Sequence, residues 1–240
     1  MTPLNDRRAL ITGASSGIGR ETALAFAKAG AHLVLVARSS DRLEEVAAKA
    51  KQFGVEVSTH SVDLAEVEQV RAAIAQIAAN QPIDILINNA GIGYTGALSD
   101  MPLADWQAVI NLNLTSVLQC IQAVLPGMRD RRQGIIINVA SIAAYASFPD
   151  WGGYSVSKAG LVSLSKILAA EERPHGIRVV IVSPGSVNTP IWDTDTVQAD
   201  FDRSQMLTPD IVAQSILHAA SLPPHAVIQE LTIMPSGGAL

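Results

Sequence analysis

The chain has 240 residues, 48% of them hydrophobic, and a net charge of -5 from 17 Lys and Arg against 22 Asp and Glu. That is enough to bury a sizeable core and fits one large α/β domain spanning 1–240. No basic run could neutralise a row of phosphates, which excludes the electrostatic footprint of a nucleic-acid binder. Cys120 is the sole cysteine, and the five histidines (His32, His60, His175, His218, His225) show no ligand spacing. Neither a disulfide nor a metal site is expected, and a reducing compartment is. The opening "MTPLNDRRALITG" carries charge where a secretory leader needs an apolar run, and no 18-residue apolar span is read further on. The expectation is a cytoplasmic protein with no membrane partner.

In chain order, β-rich runs stand at 8–12, 32–37, 55–62, 84–88, 134–140, 177–183 and 227–234. Between them lie segments of helical period at 17–29, 41–53, 66–79, 103–128, 154–172 and 208–221, with breakers at Gly30, Gly54, Pro82, Gly134 and Gly176. Most of the strand runs are apolar on successive residues, as strands covered on both faces are. The fold class is therefore α/β: a doubly wound, seven-stranded, mostly parallel Rossmann-type sheet with helices on both faces. Ligands of such sheets sit at the carboxyl ends of the strands. The aperiodic stretch 184–207 is the candidate for a mobile lid there.

The first strand and helix are joined by "TGASSGIG", residues 12–19, with Gly13, Gly17 and Gly19. Glycines let the backbone turn tightly and approach a pyrophosphate, whose charge the helix N-terminus favours. A turn serving only strand-to-helix packing is the alternative. The same residues Gly13 to Gly17 also satisfy G-x-S-x-G, the nucleophile elbow of serine hydrolases with Ser15 as nucleophile, although no HGGG-type loop accompanies it.

Tyr154 and Lys158 are four apart in the helical segment 154–172 and project from nearly the same face. A phenol ordinarily titrates near ~10, and a neighbouring ammonium lowers that value, so the pair reads as a tuned general acid/base. Ser141 follows the fifth strand run, where a hydroxyl can donate to a carbonyl oxygen. The alternatives are a surface Tyr and Lys at helical spacing and a serine that only forms a turn.

Taken in order, "TGASSGIG", Asp63, "NNAG" (88–91), Asn113 in "NLNLTS", Ser141, Tyr154-x-x-x-Lys158 and "PGSVNT" (184–189) resemble the short-chain dehydrogenase/reductase family along essentially the whole chain. The resemblance implies hydride transfer between a nicotinamide and a carbonyl or alcohol carbon. Tyr154 would move the proton, Lys158 lower its pKa and bind the nicotinamide ribose, Ser141 polarise the substrate oxygen, and Asn113 hold a water linking Lys158 to solvent. It also implies cofactor contacts from Gly13, Ser15, Ser16, Gly17, Ile18 and Gly19 in the loop, and from Asp63 and Leu64 at the adenine. Asn89 and Gly91 would meet the adenosine ribose, and Pro184, Gly185, Val187 and Thr189 the nicotinamide and pyrophosphate. Asp63 could instead cap the next helix, and Thr189 could be a loop hydroxyl.

Proteins of this fold that take NAD carry an acid at the end of the second strand, and those that take NADP an arginine nearby. Here Arg38 and Ser39 stand there, with no acid before Asp41, so NADP is expected over NAD. Ser16 departs from the basic residue that many NADP-dependent relatives carry before the second glycine. A solvated surface arginine is the alternative for Arg38.

Tyr94, Phe148, Trp151 and Trp192 fall in segments that line the substrate pocket in the family, implying an apolar or partly aromatic carbonyl or alcohol; core or interface packing is the alternative. Asp193, Asp195, Asp200 and Asp202 stand against Arg203 in the lid, which disfavours a polyanion. Relatives are commonly homodimers or homotetramers that pair the two long helices, here 103–128 and 154–172.

Overall fold

The computed structural model describes residues 4–199 and 201–238. Seven strands, β1 (Arg8–Thr12), β2 (His32–Ala37), β3 (Val57–Ser61), β4 (Ile85–Asn88), β5 (Gly134–Val139), β6 (Ile177–Pro184) and β7 (Glu230–Ile233), form one sheet in the order β3-β2-β1-β4-β5-β6-β7. Every pairing is parallel. The helices are α1 (Gly17–Lys28), α2 (Ser40–Lys51), α3 (Val67–Asn80), α4 (Leu103–Ile110), α5 (Ser116–Arg131), α6 (Gly152–Glu172) and α7 (Pro209–Ala220).

Because successive strand residues face opposite ways, the apolar runs feed two cores at once. Ile85 and Ile87 of β4 and Ile135 and Ile137 of β5 pack with Phe26 of α1, Leu43 of α2 and Ile216 of α7. Leu86 and Ile136, on the same strands, pack with Ile74 of α3, Ile121 of α5 and Leu161 of α6 on the other side. A buried isoleucine or leucine contributes about 1.5–3 kcal/mol. A one-residue slip of β4 would exchange the two sets.

The helix expected at 103–128 runs from Leu103 to Arg131 but is interrupted by a π-helical turn, Asn111–Thr115, at whose end the Ser116 N–H reaches back to the Asn111 carbonyl. The run is long and apolar enough, by length and composition, to cross a membrane, so the absence of such a span needs correcting. Val117, Cys120, Ile121 and Val124 bury its apolar face against the sheet. α6 starts at Gly152, two residues earlier than expected, which puts Tyr154 in its first turn.

Strand order reverses at β1, which lies between β2 and β4. The loops leaving the carboxyl ends of β1 and β4 therefore part to opposite faces and open a crevice.

Candidate active site

The loop after β1 forms one wall of this crevice. Gly13 sits at φ +64°, a conformation that an L side chain adopts only with strain. A Cβ on Gly19 would stand 2.3 Å from the Gly13 carbonyl oxygen, so only glycine lets α1 begin this close to the turn. The loop after β4 is tied to it. The Asn89 amide donates to the Thr12 carbonyl at 3.1 Å, and Thr12 Oγ1 accepts from the backbone N–H groups of Asn89 and Ala90. Asn88 points the other way and donates to Asn138 at 2.8 Å, which in turn donates to Ser165 of α6.

α6 brings Tyr154 and Lys158 to the end of β5. The Lys158 ammonium, 4% exposed, donates to the Val139 carbonyl at 2.9 Å and stands 5.7 Å from the centre of the Tyr154 ring. Burial pushes it down to about 8. Ser141 is nearly buried just beyond β5; its Oγ accepts from the Ala143 N–H at 3.1 Å, which fixes the side chain. Burial raises the Tyr154 phenol, while the Ser141 hydroxyl pulls it the other way. Exposed area leaves Tyr154 half-buried, but dense packing around the ring is what governs its proton affinity. The expected lowering of the phenol is thus reversed in the protein alone, because loss of water around the phenol outweighs the opposing hydrogen bond from Ser141.

Asn113 sits in the π turn, fully buried. Its Oδ1 accepts from the Ile92 N–H at 2.9 Å, and its Nδ2 donates to the Ile92 carbonyl and to Ser157 Oγ, both at 3.0 Å. Ser157 donates in turn to the Tyr154 carbonyl. The side-chain amide is therefore engaged as a clamp joining the loop after β4 to the first turn of α6, and Gly91 fits between Asn113 and Lys158 because it has no Cβ.

A cleft of about 790 Å³ runs from Arg38 and Asp63 past Gly13, Ser15, Ser16 and Gly17 to Asn89 and Gly91. At Ile18, Asn89, Gly91 and Thr189 it joins a second cavity of about 300 Å³, lined by Ser141, Tyr154, Lys158, Pro184, Gly185 and Val187. Phe148, Trp151 and Trp192 line this inner cavity, as expected, and Tyr94 does not. The Tyr94 phenol is raised by loss of water and by the Asp105 carboxylate. Leu64 lies in the core and borders the outer cleft. Asp63 accepts from the Ala65 N–H at 3.0 Å, and α3 begins only at Val67, so Asp63 caps a short turn rather than that helix.

The stretch 184–207 is anchored rather than loose. Asn188 N–H donates to the Leu207 carbonyl and Leu207 N–H to the Ser186 carbonyl, zipping its two ends together. Arg203 grips Asn188 Oδ1 and the Thr189 carbonyl, each at 2.9 Å, and pairs with Asp193. Asp202 caps Ser204; Asp200 lies outside the described residues.

Three participants escaped the sequence reading. Arg42 borders the outer cleft from the first turn of α2, four residues beyond Arg38, and a second arginine close after the second strand was the available signal. Ser157 gave none, being one serine among several in α6. Phe201 lines the inner cavity from an aperiodic loop that offers no pattern. The serine-hydrolase reading of Ser15 does not hold, since no histidine is among the residues lining the clefts onto which Ser15 opens.

A doubly wound parallel sheet whose crevice carries a glycine turn, with a tyrosine and a lysine at its inner end, defines a nucleotide-binding oxidoreductase architecture. Residues 7–199 match the short chain dehydrogenase family, and the chain belongs to it. It is 37% identical to an uncharacterized oxidoreductase of Staphylococcus saprophyticus, over 98% of this chain and 100% of that one. Among solved structures it is similar to a metagenomic short-chain oxidoreductase in complex with NADP (TM-score 0.85, 31% identity, 98% and 99% of the two chains). It is also similar to an alcohol dehydrogenase from Thermococcus sibiricus complexed with 5-hydroxy-NADP (TM-score 0.87, 29% identity, 96% and 97%).

Proposed function

We propose that the protein is an NADP(H)-dependent oxidoreductase that interconverts a ketone or aldehyde and the corresponding alcohol, with Tyr154 as general acid/base. The observation that carries this reading is the convergence of Ser141, Tyr154 and Lys158 on one cavity continuous with the glycine-lined cleft. The outer cleft suits a dinucleotide: its turn admits no Cβ at Gly19, and Arg38 and Arg42 border it with no salt bridge to either among the described residues.

Gly13, Ser15, Ser16, Gly17, Ile18 and Gly19 would hold the pyrophosphate, Asp63 and Leu64 the adenine, and Asn89 and Gly91 the adenosine ribose. Arg38, with Arg42, would meet the 2′-phosphate, making up for Ser16. Pro184, Gly185, Val187 and Thr189 would border the nicotinamide. When bound, the dinucleotide supplies or accepts the hydride. Tyr154 gives its proton to the carbonyl oxygen as that oxygen gains charge, and a phenol that burial keeps protonated is the form reduction needs. Ser141 donates to the same oxygen and stabilises its developing charge. Lys158 supplies a fixed cation beside Tyr154 and donors for a ribose, and Asn113 holds the loop and helix that carry these groups in register.

Copies of the chain pair through the outer faces of α4, α5 and α6, a reading supported by the exposed Leu103, Leu118, Val156 and Ile167. Light scattering tests it, and a monomer mass at micromolar concentration contradicts it.

The cofactor assignment is tested by dissociation constants for NADPH and NADH. NADPH is expected to bind about 10–100-fold more tightly, through charge-assisted hydrogen bonds worth about 1.5–3 kcal/mol. Arg38→Ala should remove most of that ratio, and equal or tighter binding of NADH by the unaltered protein contradicts it. Failure to turn over any carbonyl or alcohol with either dinucleotide contradicts the reaction class.

A further inference from the structure

We infer that the substrate is a neutral, compact, ring-bearing ketone or its secondary alcohol, selected by an aromatic wall built from Trp151, Trp192 and Phe201. This rests on the oxidoreductase reading above. Tyr154 packs edge to face on Trp151 with ring centres 5.4 Å apart; Trp151 packs on Trp192 at 5.6 Å, and Trp192 on Phe201 at 5.6 Å. Four rings thus form an unbroken chain from the proton-bearing phenol outward along the inner cavity, which all four line.

The single polar atom of the Trp192 ring, its Nε1–H, donates to the Val187 carbonyl at 2.7 Å. Its face is left purely apolar and its orientation fixed. Trp192 in turn stands on the turn Pro190–Asp193, which Arg203 secures through the Thr189 carbonyl and Asp193. Trp192, at the centre of the wall, is thus anchored from both its ring and its backbone turn.

Charge narrows the class. Among the described residues, the only ionisable side chains bordering the inner cavity are those of Tyr154 and Lys158, and Lys158 stands beside Tyr154, where it donates to Val139. Asp193 of the lid is paired with Arg203 and borders the outer cleft instead. A carboxylate or phosphate carried away from the reacting carbon would therefore lie against aromatic carbon without a counter-cation. A quaternary ammonium would meet rings that touch one another instead of surrounding a void, and would share the cavity with the Lys158 cation. Size narrows it further. A cavity of about 300 Å³ is at the small end of ligand pockets, and the nicotinamide must share it, which leaves room for a single ring and short substituents.

Three aryl ketones matched except in charge test this: acetophenone, 4-acetylbenzoate and 4-acetyl-N,N,N-trimethylanilinium. Reduction is followed by loss of NADPH absorbance, and binding to the NADPH complex by quenching of tryptophan fluorescence. Acetophenone is expected to exceed both charged ketones by about 100-fold or more in kcat/KM, or in affinity where none is turned over. Trp192→Ala and Phe201→Leu should each reduce the acetophenone-to-acetone ratio of kcat/KM roughly tenfold, while Trp192→Phe retains most of it. Equal or better use or binding of either charged ketone overturns the inference, as does an unchanged ratio in both truncations. Absence of NADPH binding itself counts against the oxidoreductase reading and is measured separately, by titration without ketone.

Discussion

Replacing Lys158 by methionine isolates the cost of holding an ammonium where it is 4% exposed. The fall from an ordinary 10.5 to about 8 corresponds, at about 1.4 kcal/mol per tenfold change in proton affinity, to about 3 kcal/mol. Between pH 8 and 10.5 the unfolded chain binds more protons at this residue than the folded protein does, so stability rises with pH through that window. The cost is full below pH 8, where both states are protonated, and is largely gone near pH 10, where the folded lysine is neutral and the unfolded one is becoming so. Methionine fills a similar volume and does not titrate. Urea unfolding of the two proteins at pH 7 and pH 10 should therefore show the native protein gaining about 2–3 kcal/mol relative to Lys158→Met as pH rises. Comparing the pair cancels the titrating groups that do not border residue 158. A difference that does not change with pH, or that moves the other way, refutes the reasoning.

Gly19→Ala should weaken dinucleotide binding by at least about tenfold and lower the unfolding midpoint, because its Cβ meets the Gly13 carbonyl at 2.3 Å and overpacking costs about 1–3 kcal/mol; isothermal titration and thermal melts check both. Arg203→Leu releases Asn188, Thr189 and Asp193 together. It should raise the dinucleotide dissociation constant roughly tenfold, for about 1–2 kcal/mol of lost local order, with little change in the urea midpoint. An unchanged dissociation constant would remove the lid anchor from the account.

The sheet was legible because its strands are buried on both faces and announce themselves as apolar runs such as Ile135 to Ile137. The glycine turn was legible because Gly13 and Gly19 answer to backbone geometry, which few other residues can meet. Strand ends were read too long at β3 and β7, where the paired register covers only Val57–Ser61 and Glu230–Ile233. The π turn was hidden, since Asn111 to Thr115 keeps helical periodicity and differs only in which carbonyl each N–H reaches. Proton affinity at Tyr154 was misjudged for a related reason: spacing shows that Lys158 is near, while the loss of water around both groups depends on everything packed over them. The inner cavity was read in part, Trp151 and Trp192 correctly and Tyr94 not, because a loop sequence does not say which way its side chains turn. Arg203, noted only as a charge facing acids, proves to be the residue that fastens the lid.

Tyr154→Phe bears most directly on the central claim, that a phenol at the inner end of the crevice carries the proton. The variant keeps the ring and its contact with Trp151 while removing the hydroxyl, so NADPH should bind with an almost unaltered dissociation constant and carbonyl reduction should fall by about 10²–10⁴-fold. Turnover within a few-fold of the native protein, with NADPH still bound, would contradict it.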